Sequence, residues 1–268
     1  VAADITAMGQ GAETISVTQM DSAGNVSPVA TRVISVDTAS PISPLLALGT
    51  GVTGGATSAE AIQAGGVVTV NAETGASTVV TFTNGTKTVT KTVTGTGAAQ
   101  AVALSSQDVT TLTDGTITVT AVATDAAGNA SELASSSFVL DTAAPTLHAS
   151  VLPATALSTI AGTAGNTEGE TITLTVTFDD AVKGLTNGTN STVFTLAGVG
   201  VSAAWSGTDN TNIRTLTYTV AAGKSGQVAI DEAALKIALV AGISDIAGNS
   251  FTYNLNNGAI PNIDVTPL

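Results

Sequence analysis

Thr116-Ile-Thr-Val-Thr-Ala-Val-Ala-Thr-Asp-Ala-Ala-Gly-Asn-Ala-Ser-Glu-Leu-Ala-Ser-Ser-Ser-Phe-Val-Leu140 holds two β-type runs, 116–124 and 132–140, around one turn phrase. Thr and Val favour strands, whereas Gly and Asn serve turns. The phrase Asp-x-Ala-Gly-Asn occurs three times, at Asp21–Asn25, Asp125–Asn129 and Asp245–Asn249. Each copy is followed by a β-type run and then by an acid and a proline: Asp37 with Pro41, Asp141 with Pro145, Asp264 with Pro267. The first two copies align without a gap at an offset of 104 residues, so that Asp4/Asp108, Gly11/Gly115, Asp37/Asp141 and Pro41/Pro145 coincide. Such a period is too long for a solenoid and suits a chain of small, independently folded domains.

Outward from that phrase the chain divides into three. Residues 1–46 match 105–150 and read as the last third of a repeat plus its linker, too few strands to bury a core alone. Residues 47–143 form a complete repeat, with β-type runs at 67–70, 78–82, 86–93, 101–104, 116–124 and 132–140. Asn84-Gly85 between two of these runs predicts a type I′ hairpin. Residues 144–268 form a longer, divergent repeat, in which 171–178 and 213–220 alternate and Asp231 caps one or two helical turns over 231–238. Six or seven short strands per hundred or so residues predict an all-β fold of tandem immunoglobulin-like sandwiches joined by short Asp/Pro linkers. Prolines in linkers this short restrict motion between domains.

Composition agrees with that fold and narrows the function. Seven Lys plus Arg stand against twenty Asp plus Glu, a formal net charge of −13. Nucleic acid and anionic membrane both need basic surface, so neither is an expected partner. Aromatics are scarce, and Phe82, Phe138, Phe178, Trp205 and Tyr218 are the expected large core anchors. There is no cysteine, so stability must come from packing or from bound metal. No run near twenty apolar residues and no basic-then-apolar leader is present in this stretch.

The stretch Leu112-Thr-Asp-Gly-Thr…Ala123-Thr-Asp-Ala-Ala-Gly-Asn-Ala-Ser131…Val139-Leu-Asp-Thr-Ala-Ala-Pro145 resembles the bacterial Ig-like tandem repeats of giant surface adhesins and biofilm-associated proteins. Glu170–Val182 with Ser244–Asn249 is similar to a second, longer repeat type of the same proteins. The resemblance implies a secreted, cell-surface stalk of many domains, stiffened by calcium.

The residues carry little enzyme chemistry. His148 is the only histidine, and neither a zinc cluster nor a phosphate-binding loop is evident in the sequence. Carboxylates remain, and hard oxygen donors are what Ca2+ takes, six to eight at ~2.3–2.6 Å. In a sandwich the Asp-x-Ala-Gly-Asn turn, the loop after the second strand and the preceding linker all reach one pole. The expected ligand sets are therefore Asp37, Glu73, Asp125 and Asn129 at the first linker, and Asp141, Asp179, Asp180, Asp245 and Asn249 at the second. Asp21 and Asn25, and Asp264 near the end, are the matching positions of the other copies; Asp114 and Glu60 are candidates for the second set. The same phrase also suits an ordinary turn in which Asp accepts its own backbone amides.

These readings predict a non-enzymatic stalk whose partners are its own neighbouring repeats. Two other functions fit parts of the sequence. Residues 1–46 would complete a neighbour's fold in a self-assembling layer or filament, or Trp205 would serve as a stacking platform in a glycan- or protein-binding module.

Overall fold

The computed structural model describes residues 7–148 and 167–252. Asp264 lies outside the described residues. The described chain packs as two compact units: residues 7–49, 64–112 and 117–137 in one, and 50–63, 113–116, 138–148 and 167–252 in the other.

The first unit begins with an antiparallel ribbon, β1 (Gly11–Val17) against β2 (Ala30–Val36), registered Gly11 to Val36 and Val17 to Ala30. After the linker come β3 (Leu45–Leu48), β4 (Val68–Asn71), β5 (Ser77–Thr83), β6 (Thr88–Thr94), β7 (Ala99–Val102), β8 (Gly115–Thr124) and β9 (Ala134–Leu140). They form two antiparallel sheets, ordered β3-β4-β7 and β6-β5-β8-β9. The alternation read from sequence is the burial pattern: Val68 and Val70 of β4, Val80 and Phe82 of β5, and Ile117, Val119, Ala121 and Ala123 of β8 are all buried. Each such side chain contributes ~1.5–3 kcal/mol when fully buried if it is Val-sized or larger. Ala72, Ala76 and Ala123 pack in one small-residue cluster.

The hairpin between β5 and β6 differs from expectation. Thr83 pairs with Thr88, so four residues, 84–87, form the loop, and only Gly85 has positive φ (+92°). A type I′ turn requires positive φ at both central residues. Asn84 instead uses its side chain: Oδ1 accepts the amides of Thr86 and Lys87, and Nδ2 donates to the Leu112 carbonyl. Sequence reading also passed over two helices. The longer, Ser106–Leu112, buries Val109 and Leu112, and its Asp108 pairs with Lys91 of β6.

The second unit opens with a 3-10 turn, Val52–Gly54, and a short helix α1 (Ser58–Ala61). We number the Ser106–Leu112 helix α2. Then follow β10 (Thr171–Lys183), β11 (Asn190–Leu196), β12 (Val199–Ser206), β13 (Thr211–Thr219), β14 (Val228–Ile230), α3 (Glu232–Gly242) and β15 (Ser244–Asp245). The strands form one six-stranded sheet, ordered β14-β11-β12-β13-β10-β15. Asp231 caps α3 as expected, accepting the Ala234 amide, but the helix runs eleven residues because Leu235 and Leu239 bury against the sheet core. Phe178 and Phe251 meet edge to face at 5.6 Å.

Trp205 belongs to that core. It is 1% exposed, and its Nε1 donates to Ser191 Oγ at 2.7 Å. A side chain so enclosed has no free face on which a sugar could stack, which removes the basis for a glycan platform at this residue. The other expected anchors, Phe82, Phe138, Phe178 and Tyr218, are buried as well. Among the described residues, no helix is long and apolar enough to cross a membrane.

Candidate functional site: the Asp-x-Ala-Gly-Asn loops and the linkers

The three loops share one hydrogen-bond pattern. The aspartate amide donates to the asparagine carbonyl at 3.0 Å for Asp21–Asn25, 3.1 Å for Asp125–Asn129 and 3.0 Å for Asp245–Asn249. One carboxylate oxygen accepts the asparagine backbone amide at 2.8–2.9 Å, and the other accepts asparagine Nδ2 at 2.8 Å. The motif glycine turns the chain at φ +90°, +96° and +113°, a conformation in which a side chain would be strained. The asparagine side-chain amide is the main reason the Asp21 and Asp125 carboxyls lie below the usual aspartate range. A carboxyl lowered in the fold stabilises it above its ordinary pKa, and that contribution is lost as pH falls through the lowered value.

The second proton of the asparagine amide gives the loop a further reach. Asn129 Nδ2 donates to the main-chain carbonyl of Asp37 at 3.1 Å, across 92 residues of sequence. Asn249 Nδ2 does the same to Asp141 at 2.8 Å, across 108 residues. The phrase is thus both a self-closed turn and a clamp on the linker acid. Sequence reading assigned these asparagines to the right place but to a different role.

A second contact holds each linker from its own side. Thr38 donates its amide to Gln10 Oε1 at 3.1 Å, and Gln10 Nε2 donates to Thr38 Oγ1. One repeat later Thr142 donates its amide and hydroxyl to Asp114 Oδ1 at 3.0 and 2.8 Å. Gln10 and Asp114 lie 104 residues apart, as do Thr38 and Thr142, so the substitution of Gln for Asp keeps the bond while removing a charge.

Electrostatically the two linkers differ. Burial raises the Asp141 carboxyl above the usual aspartate range; the Ala143 amide opposes this, and the charges of Asp245, Asp114 and Asp180 add to it. Asp141 therefore feels the charges of three other carboxylates at the second linker. At the first, Asp37 is exposed and its Oδ1 accepts the Ala39 amide at 3.0 Å. Asp125 lies beside it through Asn129, whereas Glu73 is exposed and its carboxylate makes no hydrogen bond to Asp37, Asp125 or Asn129.

Two expected members of the second set point elsewhere. Asp179 pairs with His148 Nδ1 at 2.6 Å and accepts the Thr146 hydroxyl at 3.0 Å, contacts that lower its pKa, His148 first. The adjacent Asp180 is exposed as well, and its charge is among those that raise Asp141. Glu60 is consumed by a capping box, accepting the Thr57 amide and hydroxyl at the start of α1. Among the described residues, no three carboxylate or imidazole side chains gather closely enough to hold a metal ion between them.

The third loop is also seated on the backbone of 52–57. A Cβ at Gly54 would lie 3.0 Å from the Ile246 carbonyl, and one at Gly55 3.2 Å from Ala247 Cβ. Lys183 Nζ donates to the same Ile246 carbonyl. Gly54 and Gly55 are the signal that sequence reading passed over: two small residues where another backbone must come close.

No family model and no curated protein matches this chain. Two solved structures are similar to it. One is a tetra-tandem repeat in the extending region of a large adhesion protein, 20% identical, with a TM-score of 0.32, covering 83% of this chain and 49% of that one. The other is from a 1.5-MDa bacterial ice-binding adhesin, 20% identical, with a TM-score of 0.31, covering 88% of this chain and 68% of that one. The chain thus spans about half the length of the first of these structures. These two, among the solved structures similar to this chain, are a tandem repeat of a large adhesion protein and a bacterial adhesin.

Proposed function

We propose that the chain is a structural segment of a secreted or cell-surface bacterial adhesin, in which Ig-like repeats are lined up as a semi-rigid stalk and the protein does no catalysis. The observation that carries this reading is the asparagine clamp, made twice with the same atoms: Asn129 on the Asp37 carbonyl and Asn249 on the Asp141 carbonyl. A linker gripped from the following loop and from its own side, by Gln10 or Asp114, has lost most of its torsional freedom. Small-angle scattering tests it. Asn129→Ala with Asn249→Ala is expected to broaden the distance distribution and change the maximum dimension while each unit stays folded. An unchanged distribution overturns the clamp as the stiffening device.

Calcium belongs to the same proposal, at the second linker. Asp141 feels the charges of Asp245, Asp114 and Asp180, and a divalent cation held by Asp141 together with main-chain carbonyls and water, which count among calcium's usual ligands, would relieve that repulsion. When bound, the ion would supply charge neutralisation and a further tie between linker and loop. The first linker is held by hydrogen bonds.

A sign test follows. A carboxyl raised in the folded state binds its proton more tightly there, so stability falls as pH rises from the ordinary aspartate pKa through the raised value. Asp141→Asn is therefore expected to raise the melting temperature in chelator at pH 7 and to abolish the increase produced by millimolar Ca2+ in the parent protein. Equal calcium-induced increases in parent and variant would remove Asp141 from any ion site.

A further inference from the structure

We propose that the β1–β2 ribbon is a receptor for a segment with the chemistry of residues 37–104, that is, a linker followed by the first strands of a repeat of this class. The proposal rests on the tandem-repeat reading and specifies what the ribbon binds.

Two independent features of the ribbon ask for the same occupant. The first is the uncovered strand β1. By the 104-residue offset it corresponds to β8, which pairs on one side with β5 from Ser77↔Thr124 to Thr83↔Thr118. Among the described residues β1 pairs only with β2. Its residues show the consequence: Ile15 and Val17 are 42% and 59% exposed, while their counterparts Val119 and Ala121 are 0% and 1% exposed. Met20, Val26, Val29 and Val33 are likewise exposed. An uncovered strand edge with apolar side chains is a template for another strand.

The second feature is the unused half of the Asn25 amide. Asn129 and Asn249 each hold their own aspartate and a linker carbonyl, whereas among the described residues Asn25 Nδ2 reaches only Asp21. Asn25 is exposed and lines a hollow of about 370 Å³ with Gln19, Asp21, Val26 and Ser27. A linker carbonyl in the position that Asp37 takes against Asn129 would complete it.

In the second repeat one continuous segment, 37–104, supplies both contacts: Asp37 to the loop asparagine and β5 to the strand edge. The β5–β8 pairing, shifted by 104 residues, sets the occupant's register on β1. Opposite Ile15 and Val17 it must place apolar residues, as Phe82 and Val80 stand opposite Val119 and Ala121. Charge complements the fit at the rim. Glu13 occupies the position of Ile117, one residue beyond the last β5 pair, where the incoming hairpin turn carries Lys87.

The test adds a second copy of residues 37–104 directly ahead of Val1 and follows hydrogen exchange in the ribbon. The outward-facing amides of Gly11–Val17 are expected to gain protection by about a hundredfold, and the amides around Asn25 to slow with them. The same fusion carrying Val80→Asp and Phe82→Asp in the added copy is expected to leave exchange at the level of the parent. Unchanged exchange in the first fusion, with the added segment soluble, overturns the proposal. So does a concentration-dependent dimer of the parent that protects the same amides, because a second copy would then be the occupant. Failure here leaves the scattering test of the clamps untouched, so the two readings fall separately.

Discussion

Replacing Arg214 by alanine is expected to destabilise the second unit by about 3–5 kcal/mol. Arg214 is charged, yet 0% exposed. It sits in β13 paired with Val176 of β10, just before the register breaks between Thr177 and Val182. Its guanidinium closes that gap: Nε donates to the Gly184 carbonyl at 2.5 Å, Nη2 to Val182 at 2.7 Å, and Nη1 to Ile213 at 2.8 Å. Removing it takes a donor from the Gly184 and Ile213 carbonyls and one of two donors from Val182, which keeps the Asn210 amide, at ~1–3 kcal/mol for each carbonyl left unsatisfied. Burial lowers the guanidinium pKa, and the charge of Asp209 opposes that shift from 3.5 Å. Asp209 is itself 54% exposed, so Asp209→Asn is expected to cost less than ~1 kcal/mol. Arg214→Lys should not rescue, because one ammonium cannot reach carbonyls arranged around a planar fork. Urea denaturation followed through Trp205 measures all three; a loss below about 1 kcal/mol for Arg214→Ala would refute the staple.

Trp205→Ala is expected to cost a further ~3–5 kcal/mol by cavity formation, enough to lower the melting temperature of a unit this size by ~12 °C or more. Trp205 is the largest fully buried side chain and is enclosed by the cluster that includes Phe178, Phe194 and Leu216. Trp205→Phe keeps most of the volume, loses the bond to Ser191 and should cost less. As the only tryptophan in the chain, it also reports its own environment: native emission should be blue-shifted and poorly quenched by acrylamide. A red emission maximum with an unchanged melt in Trp205→Ala would place the ring at the surface and return the stacking-platform reading.

Both residues show where sequence reading stops. Trp205 was legible as a large residue in an aromatic-poor chain, and the choice between core and platform depended on what stood opposite it. Arg214 shares the inward face of its strand with Leu216 and Tyr218, so alternation turns it inward, and only the fold shows that the Gly184 and Val182 carbonyls meet its donors. Asn84-Gly85 was read as a two-residue turn from its dipeptide, yet the asparagine side chain found acceptors and donors that favoured a four-residue loop. Asp179 and Asp180 were grouped because both were placed in the loop after a strand, whereas β10 runs on through them and Asp179 pairs with His148.

The local chemistry was in the sequence: strands where β-branched residues alternate, turns where Asp-x-Ala-Gly-Asn recurs, a helix where Asp231 caps it, and a period of 104 that aligns linker with linker. These follow from backbone sterics and short-range hydrogen bonds, which depend on a few neighbouring residues. The fold alone decided which carbonyl the second amide proton of Asn129 or Asn249 meets, which carboxylates surround Asp141, and which strand edge is left uncovered on β1. Those are contacts between residues about a hundred positions apart, and no local rule sets them; they exist because packing the apolar faces brings distant backbone within hydrogen-bonding reach.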